Sequence, residues 1–197
     1  MGKNNTRTRF GIFGGTFDPP HLGHLIIAQT AVEDLELDKV LFVPAASPPH
    51  KTDRLMATAS HRLAMLKLAI KGNKKFEASV LELHRGGISY TVDTLRSLNE
   101  RYPHAELFLL LGEDNYAEFH SWKSPEEIVR LASLVIYHRS GYGNVKGSSY
   151  PVTELKGPLF ELSSTEIRKK VSRGQSIRYF VTKEVASYIK SKKLYIG

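Results

Sequence analysis

The chain has 197 residues, 41% hydrophobic and 24% charged, the balance of a packed protein, so wholesale disorder is excluded. No apolar run approaches the roughly 18 residues that span a bilayer, the polar opening MGKNNTRTRF lacks the apolar core of a signal peptide, and the absence of cysteine excludes disulfides, Cys-based zinc sites and thiol catalysis; no membrane partner and a cytoplasmic setting are expected. The net charge of +8 is the balance a nucleic-acid binder would carry, yet nine basic against two acidic residues in 163–197 supply most of it, and residues 11–162 are close to neutral.

Along the chain, apolar runs of strand length alternate with segments of helical period. RFGIF (9–13) predicts a strand, followed by a Gly-Pro-rich turn and a helix over 25–37, where Leu25, Ala28, Val32 and Leu35 recur at helical spacing. KVLFVPAA (39–46) predicts a strand buried on both faces, and SPPHKTDRLM (47–56) a loop, since its two prolines prevent regular structure. HRLAMLKLAI (61–70) predicts a helix, FEASVLEL (76–83) a strand and TVDTLRSLNERY (91–102) a helix whose threonines could cap it.

ELFLLLG (106–112) has the strongest strand pattern, with no polar side chain from Leu107 onward. SPEEIVRLA (124–132) predicts a helix entered by Ser-Pro, with acids in its first turn, and SLVIYHR (133–139) a further strand. SGYGNVKGSSY (140–150) reads as a flexible connection; 162–174 and 182–195 read as two short helices docking on the sheet. The alternation predicts an α/β fold: a Rossmann-like, doubly wound, mostly parallel sheet with helices on both faces. One domain is expected over 1–197, with a core at 9–150 and a small C-terminal helical portion at 151–197.

Two segments carry the chemistry. GIFGGTFDPPHLGHL (11–25) lies between the first strand and the first helix, where an open α/β sheet binds ligands and a helix N-terminus offers N–H groups to an anion. Gly14 and Gly15 remove side chains where a phosphate must approach, and His21 and His24, three apart, can project to one side of the first turn. The pattern is neither a P-loop nor the dinucleotide fingerprint. In LSSTEIRKK (162–170), Ser163 with Glu166 forms a capping box, and the serines, N–H groups and Arg168 could together meet a polyphosphate.

At these motifs the chain resembles the HxGH nucleotidylyltransferase superfamily and, within it, the bacterial nicotinate-nucleotide adenylyltransferases. The likeness rests on Gly14-Gly15-Thr16-Phe17-Asp18-Pro19-Pro20-His21-Leu22-Gly23-His24 and Ser163-Ser164-Thr165-Glu166-Ile167-Arg168. It extends through Ser47-Pro48-Pro49-His50-Lys51, Ser89-Tyr90-Thr91-Val92-Asp93-Thr94-Leu95, Leu111-Gly112-Glu113-Asp114 and Trp122, and so covers nearly the whole chain. One departure is Tyr179-Phe180-Val181-Thr182-Lys183-Glu184-Val185, where relatives commonly have a proline near Thr182; that threonine can still cap the last helix.

The resemblance implies transfer of AMP from ATP to nicotinate mononucleotide, giving deamido-NAD and pyrophosphate in NAD biosynthesis. It implies an ATP site of Gly14, Gly15, Thr16, Phe17, His21, His24, Gly112, Asp114, Ser163, Ser164, Thr165 and Arg168, with His21, His24, Arg168 and Lys51 catalytic. It likewise implies a nicotinate-nucleotide site of Thr16, Lys51, Tyr90, Thr91, Asp114 and Trp122, the tryptophan stacking on the pyridine ring. The attacking phosphate is already an anion, so positioning and charge neutralisation should dominate, and a bound phosphate would raise the histidines' pKa. No residues are expected to ligate a metal directly; Mg²⁺ is expected to ride on the ATP phosphates.

The implied partners are ATP and nicotinate mononucleotide, with no nucleic acid and room for a homo-oligomer. The alternatives are a relative acting on nicotinamide mononucleotide or phosphopantetheine, or a non-catalytic nucleotide or RNA-binding module using the basic C-terminal helices. A class I aminoacyl-tRNA synthetase shares an HxGH-type motif, but this chain is short and lacks that class's Lys-rich second signature.

Overall fold

The computed structural model describes residues 7–47, 56–138, 150–158 and 161–196. Six strands form one sheet: β1 (Arg9–Gly15), β2 (Lys39–Pro44), β3 (Phe76–Ala78), β4 (Glu106–Gly112), β5 (Ser133–Tyr137) and β6 (Val152–Leu155). Their order is β3-β2-β1-β4-β5-β6 and every neighbouring pair is parallel. The chain winds outward from β1 in one direction and from β4 in the other. The exits of β1 and β4 therefore flank the switch point where open α/β sheets bind their ligands.

The period-2 rule divides the core between the two faces. Leu107, Leu109 and Leu111 of β4 join Ile12, Leu41, Val43 and Ile136 on one face, under α4 (Thr91–Arg101) and α6 (Pro125–Leu131). Phe108 and Leu110 join Phe13, Phe42 and Val135 on the other, under α1 (Leu22–Asp34) and α2 (Ala59–Ala69). Each large side chain buried in this way contributes about 1.5–3 kcal/mol. Half-exposed pairs such as Lys39 with Glu77 at 2.6 Å contribute about 1 kcal/mol at most, so apolar packing holds the sheet.

Four expectations are corrected. The first helix starts at Leu22, three residues earlier than the apolar spacing implied, because His21 takes the N-cap position, which Ser, Thr, Asp or Asn usually signals. The strand expected over 76–83 ends at Ala78; α3 (Leu81–Arg85) follows, its buried Glu82 accepting a hydrogen bond from Thr94 Oγ1 at 2.6 Å. The stretch from 151 onward, expected to be helical, opens with β6, an edge strand that buries Leu155 against the core. The remaining two helices, α7 (Ser164–Ser172) and α8 (Lys183–Ser191), pack on α2 instead of on the sheet. Their Ile167, Val185 and Ile189 meet Met65 and Ala69, while Leu66 within α2 and Ile70 just after it face the sheet.

The short α5 (Glu113–Ala117) follows β4 directly, and a single 3-10 turn (Phe119–Ser121) leads to Trp122. Ser124 enters α6 in the left-handed region, with Pro125 in the first turn. Thr182 caps α8, its hydroxyl accepting from the Val185 N–H, so the departure from the family pattern leaves this helix start intact. The loop over 47–56 and the connection over 140–150 lie almost wholly outside the described residues.

His138, directly after β5, lies with Nδ1 3.4 Å from Glu113 Oε1 and Nε2 3.1 Å from Glu154 Oε2. Partial burial disfavours its charge, but the two carboxylates outweigh this and raise its pKa above the ordinary histidine value. A raised folded-state pKa supplies stability that is complete below about pH 6.5 and is lost as pH rises through the folded value. Urea unfolding between pH 6 and pH 8.5 should therefore show a decline in stability that His138→Gln flattens. Equal slopes in the two proteins would contradict it.

Candidate active site

β1 ends in Gly14 and Gly15 at the carboxyl edge of the sheet, and the loop 16–20 carries the chain to α1. The two glycines differ in why they are needed. A Cβ on Gly15 would come within 3.0 Å of the Phe17 ring, whereas one on Gly14 would meet nothing within 4 Å. Packing thus explains Gly15, and the open space over Gly14 is room for a ligand. Phe17 adopts φ 51, and its side chain is buried among Phe13, Phe42 and His24. Only its backbone is available to a nucleotide, which narrows the ATP-binding role expected of it.

His21 and His24 occupy the N-cap and third positions of α1, and their rings stack with centroids 3.6 Å apart. The His21 N–H donates to His24 Nδ1 at 3.1 Å. An N–H can donate only to an unprotonated ring nitrogen, so His24 holds its proton on Nε2, the tautomer that can donate outward. The first turn of α1 thus presents both imidazoles and its N–H groups to the same side.

The second motif meets the first although some 145–150 positions separate them. Ser164 Oγ donates to the Pro19 carbonyl at 2.9 Å, and Arg168 Nη1 donates to the Asp18 carbonyl at 2.8 Å. Arg168 Nη2 reaches Thr165 Oγ1 at 3.4 Å, and the Leu22 N–H donates to the Phe180 carbonyl at 2.9 Å. Ser163 caps α7 by accepting from the Glu166 N–H at 3.2 Å, while the Glu166 carboxylate pairs with Lys169 at 2.9 Å, so the serine half of the predicted box is what caps the helix. The two helix starts and Arg168 consequently face one loop.

Three ionisable residues missing from the sequence-derived site hold that loop from beneath. Arg62 of α2, 2% exposed, donates from Nη1 to the Thr16 carbonyl at 2.9 Å and from Nη2 to the Ala45 carbonyl at 2.7 Å. Asp18, 1% exposed, accepts on Oδ1 from the Tyr195 hydroxyl at 2.6 Å and from the Ala57 N–H at 3.2 Å. Its Oδ2 lies 3.9 Å from Arg168 Nη1. Burial pushes the Asp18 carboxyl up, against the pull of the Tyr195 hydroxyl, the Ala57 N–H, Arg168 and Arg62. Burial also lowers Arg62, and burial together with Asp18 drives the Tyr195 phenol above its usual range. Arg62 was legible in part, since it shares a helical stripe with Met65, Leu66 and Ala69 where a solvated arginine would not sit.

At the other strand exit, Gly112 ends β4 beside β1, and a Cβ there would come within 2.5 Å of Asp114 Oδ1, which folds back over it. The Ser89 hydroxyl accepts from the Ala46 N–H at 2.9 Å, fixing the start of α4 next to the end of β2. Tyr90 is the N-cap of α4 without a side-chain cap, and Thr91 is its first residue; Thr94 serves Glu82, so neither threonine caps the helix. Trp122 is half-buried against Phe119, with ring centroids 5.4 Å apart, and Lys123 Nζ lies 4.4 Å over the Tyr90 ring and 3.1 Å from Asp93 Oδ2. The Trp122 segment and the Tyr90 segment are thereby joined. Lys51 lies outside the described residues.

A wholly parallel doubly wound sheet, with two helix starts and a buried arginine gathered over the first strand's exit, defines a nucleotidyltransferase of the cytidylyltransferase-like family, whose model matches residues 12–170. Within it the chain belongs to the nicotinate-nucleotide adenylyltransferases. A protein of Lactiplantibacillus plantarum named "Probable nicotinate-nucleotide adenylyltransferase" is 42% identical over 95% of this chain and 88% of its own. One of the same name from Thermus thermophilus is 46% identical over 95% and 99%. The solved structure of the Plasmodium falciparum nicotinic acid mononucleotide adenylyltransferase complexed with NaAD shares the fold, with a TM-score of 0.79 and 21% identity over 96% of this chain and 98% of that one.

Proposed function

We propose that this chain transfers the adenylyl group of ATP to nicotinate mononucleotide: a 5′-phosphate oxygen of the acceptor attacks the α-phosphorus, the bond to the bridging β-phosphate oxygen breaks, and deamido-NAD and pyrophosphate leave. The observation that carries this is the seating of Arg168 on the Asp18 carbonyl, which brings both phosphate-binding motifs to one loop. The kinship with the adenylyltransferases supports the choice of reaction.

The nucleophile is an anion at neutral pH, so no general base is required; the obstacle is the approach of two polyanions in line. His24 Nε2–H, His21, the first N–H groups of α1, and Arg168 with the start of α7 would take the triphosphate, neutralising charge that grows on the leaving pyrophosphate. Lys51 would add a cation from the loop after β2. Gly112 and Asp114 would lie by the adenosine and between the nucleotides, and Tyr90, Thr91 and Trp122 would frame the pyridine ring. Mg²⁺ would enter with ATP, carried on its phosphates as part of that substrate. No helix among the described residues is long and apolar enough to cross a membrane, and a reaction fed by ATP fits a cytoplasmic enzyme.

The test is pyrophosphate release with ATP and, side by side, nicotinate mononucleotide, nicotinamide mononucleotide and phosphopantetheine. The highest kcat/KM should belong to nicotinate mononucleotide. Preference for another acceptor reassigns the substrate, and no turnover with any of them overturns the enzyme assignment.

A further inference from the structure

The loop over 16–20 has no regular structure, yet Arg168 takes its bearing from it. Asp18 is the hub: its carbonyl receives Arg168, its Oδ1 receives Tyr195 and the Ala57 N–H, and its Oδ2 accepts no hydrogen bond among the described residues. Tyr195 comes from the segment after α8, 177 positions away. Its ring belongs to the small apolar cluster of Met65, Val185 and Ile189, and its hydroxyl lies 2.6 Å from Asp18 Oδ1 but 3.9 Å from the Met65 sulfur, so the carboxylate is its strong partner. Ring and hydroxyl therefore perform separable tasks, one packing and one aiming.

We propose that Tyr195 is a positioning residue for adenylyl transfer, its hydroxyl holding the Asp18 carboxylate so that Arg168 is presented to the triphosphate. The proposal rests on the assignment of Arg168 to ATP. The hydrogen bond fixes the rotation of the carboxylate, and so the direction in which Oδ2 draws the guanidinium, and it favours the ionised form that does so. Three side chains face Asp18 from three elements, Arg62 from α2, Arg168 from α7 and Tyr195 from beyond α8, and the Ala57 N–H completes the set.

Tyr195→Phe removes the hydroxyl and keeps the ring. Thermal melting should show a folded protein, while kcat/KM for ATP falls about tenfold, mostly through KM for ATP, and KM for the acceptor stays near wild type. The acidic limb of the ATP kcat/KM profile should move to higher pH, because the lost hydrogen bond favoured the ionised carboxylate. Since the phenol acts through Asp18, the Asp18→Asn, Tyr195→Phe double variant should be no worse than Asp18→Asn alone. A Tyr195→Phe enzyme with a lowered melting point but wild-type ATP kinetics and an unmoved limb overturns the proposal, as does an equal loss toward both substrates. Where Asp18→Asn does not fold, the single variant's pH profile decides. Calorimetric ATP binding to wild type and Tyr195→Phe keeps the two questions apart: wild type that binds ATP without turnover defeats the reaction assignment, whereas equal affinities defeat the role of Tyr195.

Discussion

Alanine at His21 or at His24 is expected to lower the rate of pyrophosphate release by about 10²-fold or more, the loss typical of removing a donor aimed at developing charge. Both substitutions should also lower stability, because the His21 and His24 side chains accept reciprocally from each other's N–H in a capping box and His21 is buried. His24 accepts from the His21 N–H, so His24→Ala also removes a capping partner, at a cost of about 1 kcal/mol. Glutamine at the third helical position serves the same capping geometry. His24→Gln should therefore recover the melting temperature while activity stays low, which separates the chemical from the structural contribution. Wild-type rates in either alanine variant would remove that histidine from the mechanism.

The second large effect is expected at Arg168, which is 5% exposed and faces a buried carboxylate. Deleting one member of such a pair strands the other; Arg168→Ala should cost about 3–5 kcal/mol of stability, read from urea unfolding, together with about 10²-fold or more in kcat/KM for ATP. Arg168→Lys is the informative companion. A single ammonium can restore charge beside Asp18, but it cannot also span the Asp18 carbonyl, the Thr165 hydroxyl and a phosphate, as the guanidinium fork can. Stability should return in part while ATP kinetics remain poor. A lysine variant with the wild-type KM for ATP would show that Arg168 serves the fold alone.

Much of this was legible in the sequence where one physical rule acts alone. β4 matched its apolar run at both ends because a strand buried on both faces needs no partner to be recognised. The motif glycines and histidines stood out because their pattern is compressed into a few consecutive positions. The misses came where tertiary context overrides local preference. α3 reads as a continuation of β3 because Val80, Leu81 and Leu83 are apolar, and only the burial of Glu82 against Thr94 discloses a helix. α2 looked like an ordinary amphipathic helix but serves the sheet with one stripe and the C-terminal helices with another, so the docking partner of α7 and α8 was misassigned. Asp18 and Tyr195 carry charge or polarity that sequence alone assigns to solvent, and only Arg62 was signalled, by its place in an apolar stripe. The burial of Asp18 and Tyr195 depends on segments up to 177 positions apart, to which no local pattern refers.

Those separations have a consequence for how the enzyme comes into being. The bonds from Ser164 to Pro19, from Arg168 to Asp18 and from Tyr195 to Asp18 all close long loops, whereas β1, α1 and β2 can associate as soon as they are made. On the ribosome the sheet would begin to assemble first, and its phosphate loop would wait, with Asp18 lacking Tyr195 and Arg168, until residue 195 had emerged. On the assignment of Arg168 to ATP, nucleotide binding should be the last property the nascent chain acquires, and a chain ending before α7 should keep His21 and His24 yet fail to bind ATP.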